Sequence, residues 1–270
     1  MKLEGKSAIV TGGGQGLGRG IVRCLAEEGA NVAVVDINKD NAEKVAGEVK
    51  ALGRRSLAVD ADLTDNRKVK QAVQDIITAF GKIDILVNNV GGMVRTLLAR
   101  NSLEFVDMKE AEWNENYELN LKSHILISQA VVPYFIKQKS GKIVNIASIA
   151  GKMPGSGHMT YNILKAADIH LTRSLAMSLS EHNINVNCIC PGVIYTPLWE
   201  GFGAQFTRIL PKAKGMTPRK YFDKFVVPRV PLKREQTEED IGRAVVFLVS
   251  EDARNITGQS LNVDGGMIMD

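Results

Sequence analysis

Tyr161 and Lys165, in the run Tyr161-Asn162-Ile163-Leu164-Lys165, stand four residues apart, which puts a phenol and an ammonium on one face of a helix. A free phenol ionises near pH ~10, too high for a base at neutral pH, and a fixed cation nearby favours the phenolate. Run forward, the pair takes a proton from an alcohol; run backward, it gives one to a ketone. Taken alone, the spacing also describes an ordinary solvated helix face, so the neighbours must carry the argument. Thirteen residues upstream, Ser148 ends the run Ile146-Ala147-Ser148, where its hydroxyl can hydrogen-bond a substrate oxygen and stabilise charge developing on it. Asn120 falls inside a helix-period stretch, where asparagine invites a structural or functional reason. It is either a surface amide or the holder of a water that links Lys165 to solvent. These residue types suit the interconversion of a secondary alcohol and a ketone, which needs a hydride carrier.

A place for that carrier follows the first strand-like run, in Thr11-Gly12-Gly13-Gly14-Gln15-Gly16-Leu17-Gly18. Glycines there can take positive φ and let backbone N–H groups approach a pyrophosphate at a helix N-terminus. The spacing is T-G-x-x-x-G-x-G rather than G-x-G-x-x-G, and a glycine run alone can be a simple turn. Asp36 closes the run Val32-Ala33-Val34-Val35-Asp36; a carboxylate there can accept from both adenosine ribose hydroxyls and would repel a 2′-phosphate. Gln15 and Ile37 hold the adjacent positions and Arg19 is the nearest loop cation, so NAD is expected over NADP. In Asp60-Ala61-Asp62-Leu63, Asp62 can sit beside the adenine amine or merely cap a helix. In Asn88-Asn89-Val90-Gly91, Gly91 allows close backbone approach to the cofactor channel.

Such groups need a frame. Strands are predicted at Ala8–Thr11, Asn31–Val35, Arg55–Val59, Ile83–Asn88, Lys142–Ala147, Asn185–Ile189 and Ser260–Val263. Helical stretches fall near Gly16–Glu28, Asp40–Leu52, Asp65–Phe80, Glu110–Lys137, Thr160–Ser180 and Glu238–Val249. Apolar strands alternating with helices indicate an α/β fold, a parallel sheet covered on both faces, with ligands beyond the carboxyl ends of the strands. The 270 residues are 44% hydrophobic and 24% charged, with no linker or repeat, so one domain is expected. No stretch reads as a signal peptide or a bilayer span, and three cysteines do not make a disulfide framework, which together suggest a reducing cytoplasm. Cys188 and Cys190 read as packed strand thiols, and no metal site is expected.

Thr11–Gly18, Asp36, Asn88–Gly91, Asn120, Ser148, Tyr161/Lys165, Pro191-Gly192-Val193-Ile194-Tyr195-Thr196 and Asp264-Gly265-Gly266, in that order, resemble the short-chain dehydrogenase/reductase family from end to end. The resemblance implies a single Rossmann-type, doubly wound domain with a seven-stranded parallel sheet, usually a homotetramer. It implies a catalytic tetrad of Asn120, Ser148, Tyr161 and Lys165. On the cofactor side it implies contacts from Gly12, Gly14, Gln15, Gly16, Leu17, Gly18, Asp36, Asp62, Leu63, Asn89 and Gly91. Pro191, Ile194 and Thr196 would join them at the nicotinamide, with Tyr161 and Lys165. Three features depart from the family: Val90 replaces a usual Ala, Ile163-Leu164 replaces smaller residues, and the connection from Gly92 to Trp113 is long enough for residues 95–100 to overhang the site.

Residues 193–233 would then form the family's substrate loop. It carries Trp199, Phe202, Phe206, Tyr221, Phe222 and Phe225, which read equally as a hydrophobic lid or as the core of a helical insert. Met153, His158 and Trp199 join Ser148 as candidate substrate contacts, although His158 can as well be structural. Residues 200–234 hold nine Lys/Arg against Glu200 and Asp223, a net +7 in a chain whose total is +4. That excess suggests an anionic substrate such as a hydroxyacyl-CoA or a carboxylated cyclic alcohol. The plain alternative is a solvated basic face and a neutral steroid, cyclic alcohol or polyol. A non-catalytic NAD-binding subunit is the competing class, and nothing points to nucleic acid or a membrane.

Overall fold

β-branched and apolar residues dominate the strands, and all seven assemble into one parallel sheet in the computed structural model, which describes residues 1–154 and 158–270. The strands are β1 (Ser7–Thr11), β2 (Asn31–Asp36), β3 (Ser56–Asp60), β4 (Ile85–Asn88), β5 (Gly141–Ile146), β6 (Ile184–Pro191) and β7 (Ser260–Val263). Their order is β3-β2-β1-β4-β5-β6-β7, so the chain reverses direction across the sheet between β1 and β4. The crevice outside that reversal is where this class of sheet binds ligands. The expected doubly wound, Rossmann-type α/β architecture is the one observed.

Alternation along the strands sorts the core into two layers. Ala8 and Val10 of β1 face the helices α1 (Gly16–Glu27), α2 (Lys39–Ala51) and α10 (Glu238–Val249). Ile9, between them, faces the other layer, where α3 (Asn66–Phe80), α6 (Ser123–Gln138) and α7 (Met159–Leu179) supply Val73, Ile76, Val131, Phe135, Ala176 and Leu179. Each such side chain contributes about 1.5–3 kcal/mol by leaving water. The helix ends follow their residues. Asn38 and Asp65 accept the capping N–H at the starts of α2 and α3, and Thr237 with Asp240 forms a capping box at α10.

Two elements differ from the sequence expectation. The helix predicted over Glu110–Lys137 is three pieces: α5 (Glu110–Tyr117), one π-helical turn (Glu118–Lys122), and α6. The lid segment, for which no elements were predicted, contains α8 (Pro197–Ile209) and α9 (Pro218–Phe225), each begun by a threonine cap followed by proline. A short α4 (Arg95–Leu98) interrupts the long connection after β4.

Candidate active site

Beyond the carboxyl ends of β1, β2 and β4 lies a cleft of about 330 Å³. One end is built by the glycine loop. A Cβ on Gly18 would lie 1.9 Å from the Gly12 carbonyl oxygen, so no side chain fits there, while Gly12 and Gly16 take φ of +60° and +51°. Asn89 staples the loop to β4: its Nδ2 donates to the carbonyls of Thr11 and Gly12 at 3.0 and 3.2 Å. Each carboxylate oxygen of Asp36 accepts a backbone N–H, from Gly14 and from Asn38, both at 2.9 Å. Arg19, the nearest loop cation, is engaged by Glu48 at 3.0 Å. Asp62 folds its Oδ1 back onto the Thr64 N–H and hydroxyl at 2.9 and 2.7 Å, while the cap of the following helix is Asp65.

Gly12, Gln15, Gly16, Leu17, Gly18 and Asp36 line the cleft, as do Asp62, Leu63, Asn89 and Gly91. Tyr161 and Lys165 close its far end, and Thr196 lies beside Gly16 of the glycine loop. Gly14 stands behind the loop, touching Asp36. Pro191 is paired with Val263 at the end of β6, and Ile194 packs into the core below the cleft. Sequence reasoning missed Leu119, Ile146, Pro197 and Leu198, apolar wall residues with no polar signature to single them out.

Two of the catalytic candidates, Asn120 and Lys165, meet around Gly91, where an added Cβ would lie 2.9 Å from Asn120 Oδ1 and 3.1 Å from Lys165 Nζ. Asn120 is buried in the π-helical turn, a distortion often found at functional sites. Its Oδ1 accepts from the Gly92 N–H at 2.7 Å and its Nδ2 donates to the Gly92 carbonyl at 2.9 Å. The surface-amide alternative therefore fails, and the side chain is committed to backbone. Lys165, 3% exposed, is no solvated helix residue either. Its Nζ donates to the Ile146 carbonyl at 2.8 Å and lies 6.0 Å from the Tyr161 ring centre. Ser148 ends β5 at the next turn, its Oγ accepting from the Ala150 N–H at 3.1 Å.

Behind Lys165 the structure holds groups that sequence reasoning did not select. Asp168 Oδ2 lies 3.4 Å from Lys165 Nζ, and its Oδ1 lies 2.8 Å from His124 Nδ1. The available signal was a carboxylate three residues after Lys165, on the helix face that faces inward. Cys188 and Cys190 are buried free thiols; the Cys190 hydrogen bond, then burial, pushes Cys188 up.

On the substrate side, Tyr161 packs with Met93, Val94, Leu97, Leu98, Leu119 and Phe202, so the long connection after β4 does cover the site. Trp199 turns away into the insert, stacking among Tyr195, Tyr221 and Phe222. The lid aromatics thus divide: most form the core of a helical insert, and Phe202 faces Tyr161. His158 holds the insert down, its Nε2 3.1 Å from Gln205 Oε1 and its ring edge-on to Phe202. Burial lowers the His158 pKa from its ordinary 6.5; Arg100 adds to this and the Gln205 hydrogen bond opposes it. Met153 lies half-exposed outside this contact. Of the nine lid cations, Arg219 pairs with Asp223 and Glu235, Arg208 donates to the carbonyls of Leu98 and Arg100, Lys233 donates to the Pro228 carbonyl, and Lys212 and Lys224 lie over the Phe225 ring. Among the described lining residues of the cleft, Lys165 is the sole Lys or Arg. Among all described residues, no cluster of three His, Cys, Asp or Glu side chains forms a metal site, and no helix is long and apolar enough to cross a membrane.

A family model described as enoyl-(acyl carrier protein) reductase matches residues 12–268. The 3-oxoacyl-(acyl-carrier-protein) reductase FabG of Staphylococcus epidermidis is 37% identical over 265 residues, covering 98% of this chain and 99% of its own. A solved 7α-hydroxysteroid dehydrogenase, complexed with NADH and 7-oxo glycochenodeoxycholic acid, matches with a TM-score of 0.84 and 35% identity over 100% of this chain and 96% of its own. Levodione reductase matches with a TM-score of 0.87 and 28% identity, covering 98% of each chain.

Proposed function

This chain belongs to the short-chain dehydrogenase/reductase family and is an oxidoreductase; on that premise we propose that it interconverts a secondary alcohol and a ketone with NAD as hydride carrier. The observation that carries the reading is a single cleft running from Asp36 and the glycine loop to Tyr161 and Lys165. The glycine loop fits a dinucleotide, because its closest approach leaves no room for a side chain and it leads into the N-terminus of α1. Bound there, the nicotinamide supplies hydride exchange. The protein supplies the rest. Tyr161 passes the proton to or from the substrate oxygen, Ser148 hydrogen-bonds that oxygen, and the Lys165 ammonium steadies the phenolate. Asn120 holds Gly92, and with it the turn on which the cofactor would lie.

Asp36 supports NAD, since its carboxylate at the cleft end of β2 would repel a 2′-phosphate bound there, and Arg19 is already paired. The apolar cluster around Tyr161 supports a substrate with an apolar alicyclic or acyl skeleton, any charge it carries staying at the rim of the lid. Among the described residues no lid cation lines the cleft, which weighs against a buried anionic group. A homotetramer is proposed as the working assembly.

A spectrophotometric screen of secondary alcohols for NADH formation tests the reading. Tyr161→Phe, which removes only the proton carrier, is expected to lower kcat by about 100-fold or more. Turnover unaffected by this substitution would remove Tyr161 from the chemistry, and a clear preference for NADPH would remove the Asp36 argument. A CoA thioester that outpaces its neutral analogue, with a rate that falls as salt rises, would restore the anionic substrate.

A further inference from the structure

Asp168 occupies the same inward face of α7 as Lys165 and has no exposed surface. His124, on α6, is equally buried and has oxygen at both ring nitrogens: Asp168 Oδ1 at 2.8 Å from Nδ1, and the Val90 carbonyl at 2.7 Å from Nε2. A carbonyl only accepts, so Nε2 must donate. The pair's other proton lies between Nδ1 and the carboxyl group. Whether written as imidazolium–carboxylate or imidazole–carboxylic acid, the pair has no net charge, which makes its burial tolerable. Its two outer contacts are the instructive ones. At one end stands Lys165 Nζ, 3.4 Å from Oδ2; at the other stands Val90, the residue before Gly91 in the cleft.

We propose that Asp168 and His124 are positioning residues that hold the Lys165 ammonium and the Val90–Gly91 turn as one unit beneath the cofactor. The proposal rests on the reading of Lys165 as the partner of Tyr161. The pair reaches the chemistry through Lys165 and touches no reacting atom. It also sets the local field, because the carboxyl oxygen facing Nζ, negatively polarised in either form of the pair, offsets part of the ammonium charge seen by the phenol. The other titratable groups facing these residues are Tyr161 on α7 itself and the thiols Cys188 and Cys190 on β6. Burial and the thiol–thiol hydrogen bond keep Cys188 protonated.

Asp168→Asn keeps the shape and replaces the acid with a neutral amide. The expected result is a kcat lower by ~10- to 100-fold, as for a displaced catalytic group, with the KM for the alcohol within about twofold. The rising limb of log kcat against pH moves to lower pH, since an unscreened ammonium favours the phenolate. His124→Asn keeps a donor toward Asp168 and gives up the Val90 contact, so it lowers kcat in the same direction with a smaller shift of the limb. Either folded variant with unchanged kcat and an unmoved limb, and a lowered Tm alone, overturns the proposal. The unmodified chain supplies an arm that needs no turnover: adding NAD is expected to shift the ring ¹⁵N resonances of His124, and resonances that stay put while NAD binds overturn it. A chain that binds NAD and shifts His124 yet oxidises nothing sinks the enzyme reading and leaves the positioning unit standing.

Discussion

Gly91 has no room for a methyl group, and the reason lies in the atoms it would strike. The nearer clash, 2.9 Å, is with the Asn120 amide, locked to Gly92 by two hydrogen bonds, and the milder one, 3.1 Å, is with the Lys165 ammonium, so both the turn and Lys165 must give. Gly91→Ala is therefore expected to keep the fold and push Lys165 off its position. Its kcat should fall by ~10- to 100-fold, the scale of a displacement of about 1 Å at a catalytic group, and its Tm should fall as the Asn120–Gly92 contact is strained. Unaltered turnover would show that Lys165 tolerates the shift. At this scale the sequence was readable wherever a residue type is unusual for its place: a phenol and an ammonium one turn apart, an asparagine in mid-helix, an acid closing an apolar strand. Asp168 and His124 were not readable. Each is unremarkable on its own helix, and only the packing of α6 on α7 brings them together behind Lys165.

Helices and strands carry these residues to their places, and two departures from regularity matter. The π-helical turn sets Asn120 into Gly92, and periodicity alone could not show it because one extra residue in a turn barely disturbs an apolar pattern. The insert of α8 and α9 was visible only as composition. Its aromatic residues were equally consistent with a lid surface and a small core, and the structure uses them mainly as a core, leaving Phe202 against Tyr161. The insert rests on His158, whose pKa burial lowers below 6.5. A histidine released from that contact takes up a proton below pH ~6.5 that the held one does not. The closed arrangement is thus fully favoured above that pH and loses stability as pH falls beneath it. Hydrogen exchange across residues 197–225 is expected to speed up between pH 7.5 and 5.5 beyond the intrinsic chemical trend. His158→Gln, which cannot titrate, should flatten that excess, and an excess that persists in it would place the pH response elsewhere.

For the whole molecule, the sheet was legible because seven apolar strands separated by helices leave few arrangements, and the glycine loop marks where the order reverses. Surface function is harder to read, since an outward helix stripe has no fixed pattern. Along α7 the inward residues Leu164, Lys165, Asp168, Ile169 and Thr172 serve the core and the site. Ile163, Ala166, His170, Arg173 and Met177 recur every three or four residues on the outside, with Met177 80% exposed and Ile163 46% exposed. An apolar-ended stripe on the helix that bears Tyr161 and Lys165 is a natural contact between copies, and it would stiffen that helix from behind. If the proposed tetramer uses it, Met177→Glu, which sets a charge in the contact, should lower the assembly by at least one step in sedimentation velocity. The same variant is expected to lose kcat only below the concentration at which it dissociates, so that rate per subunit rises with protein concentration. A Met177→Glu chain that sediments like the unaltered one would move the contact to another face.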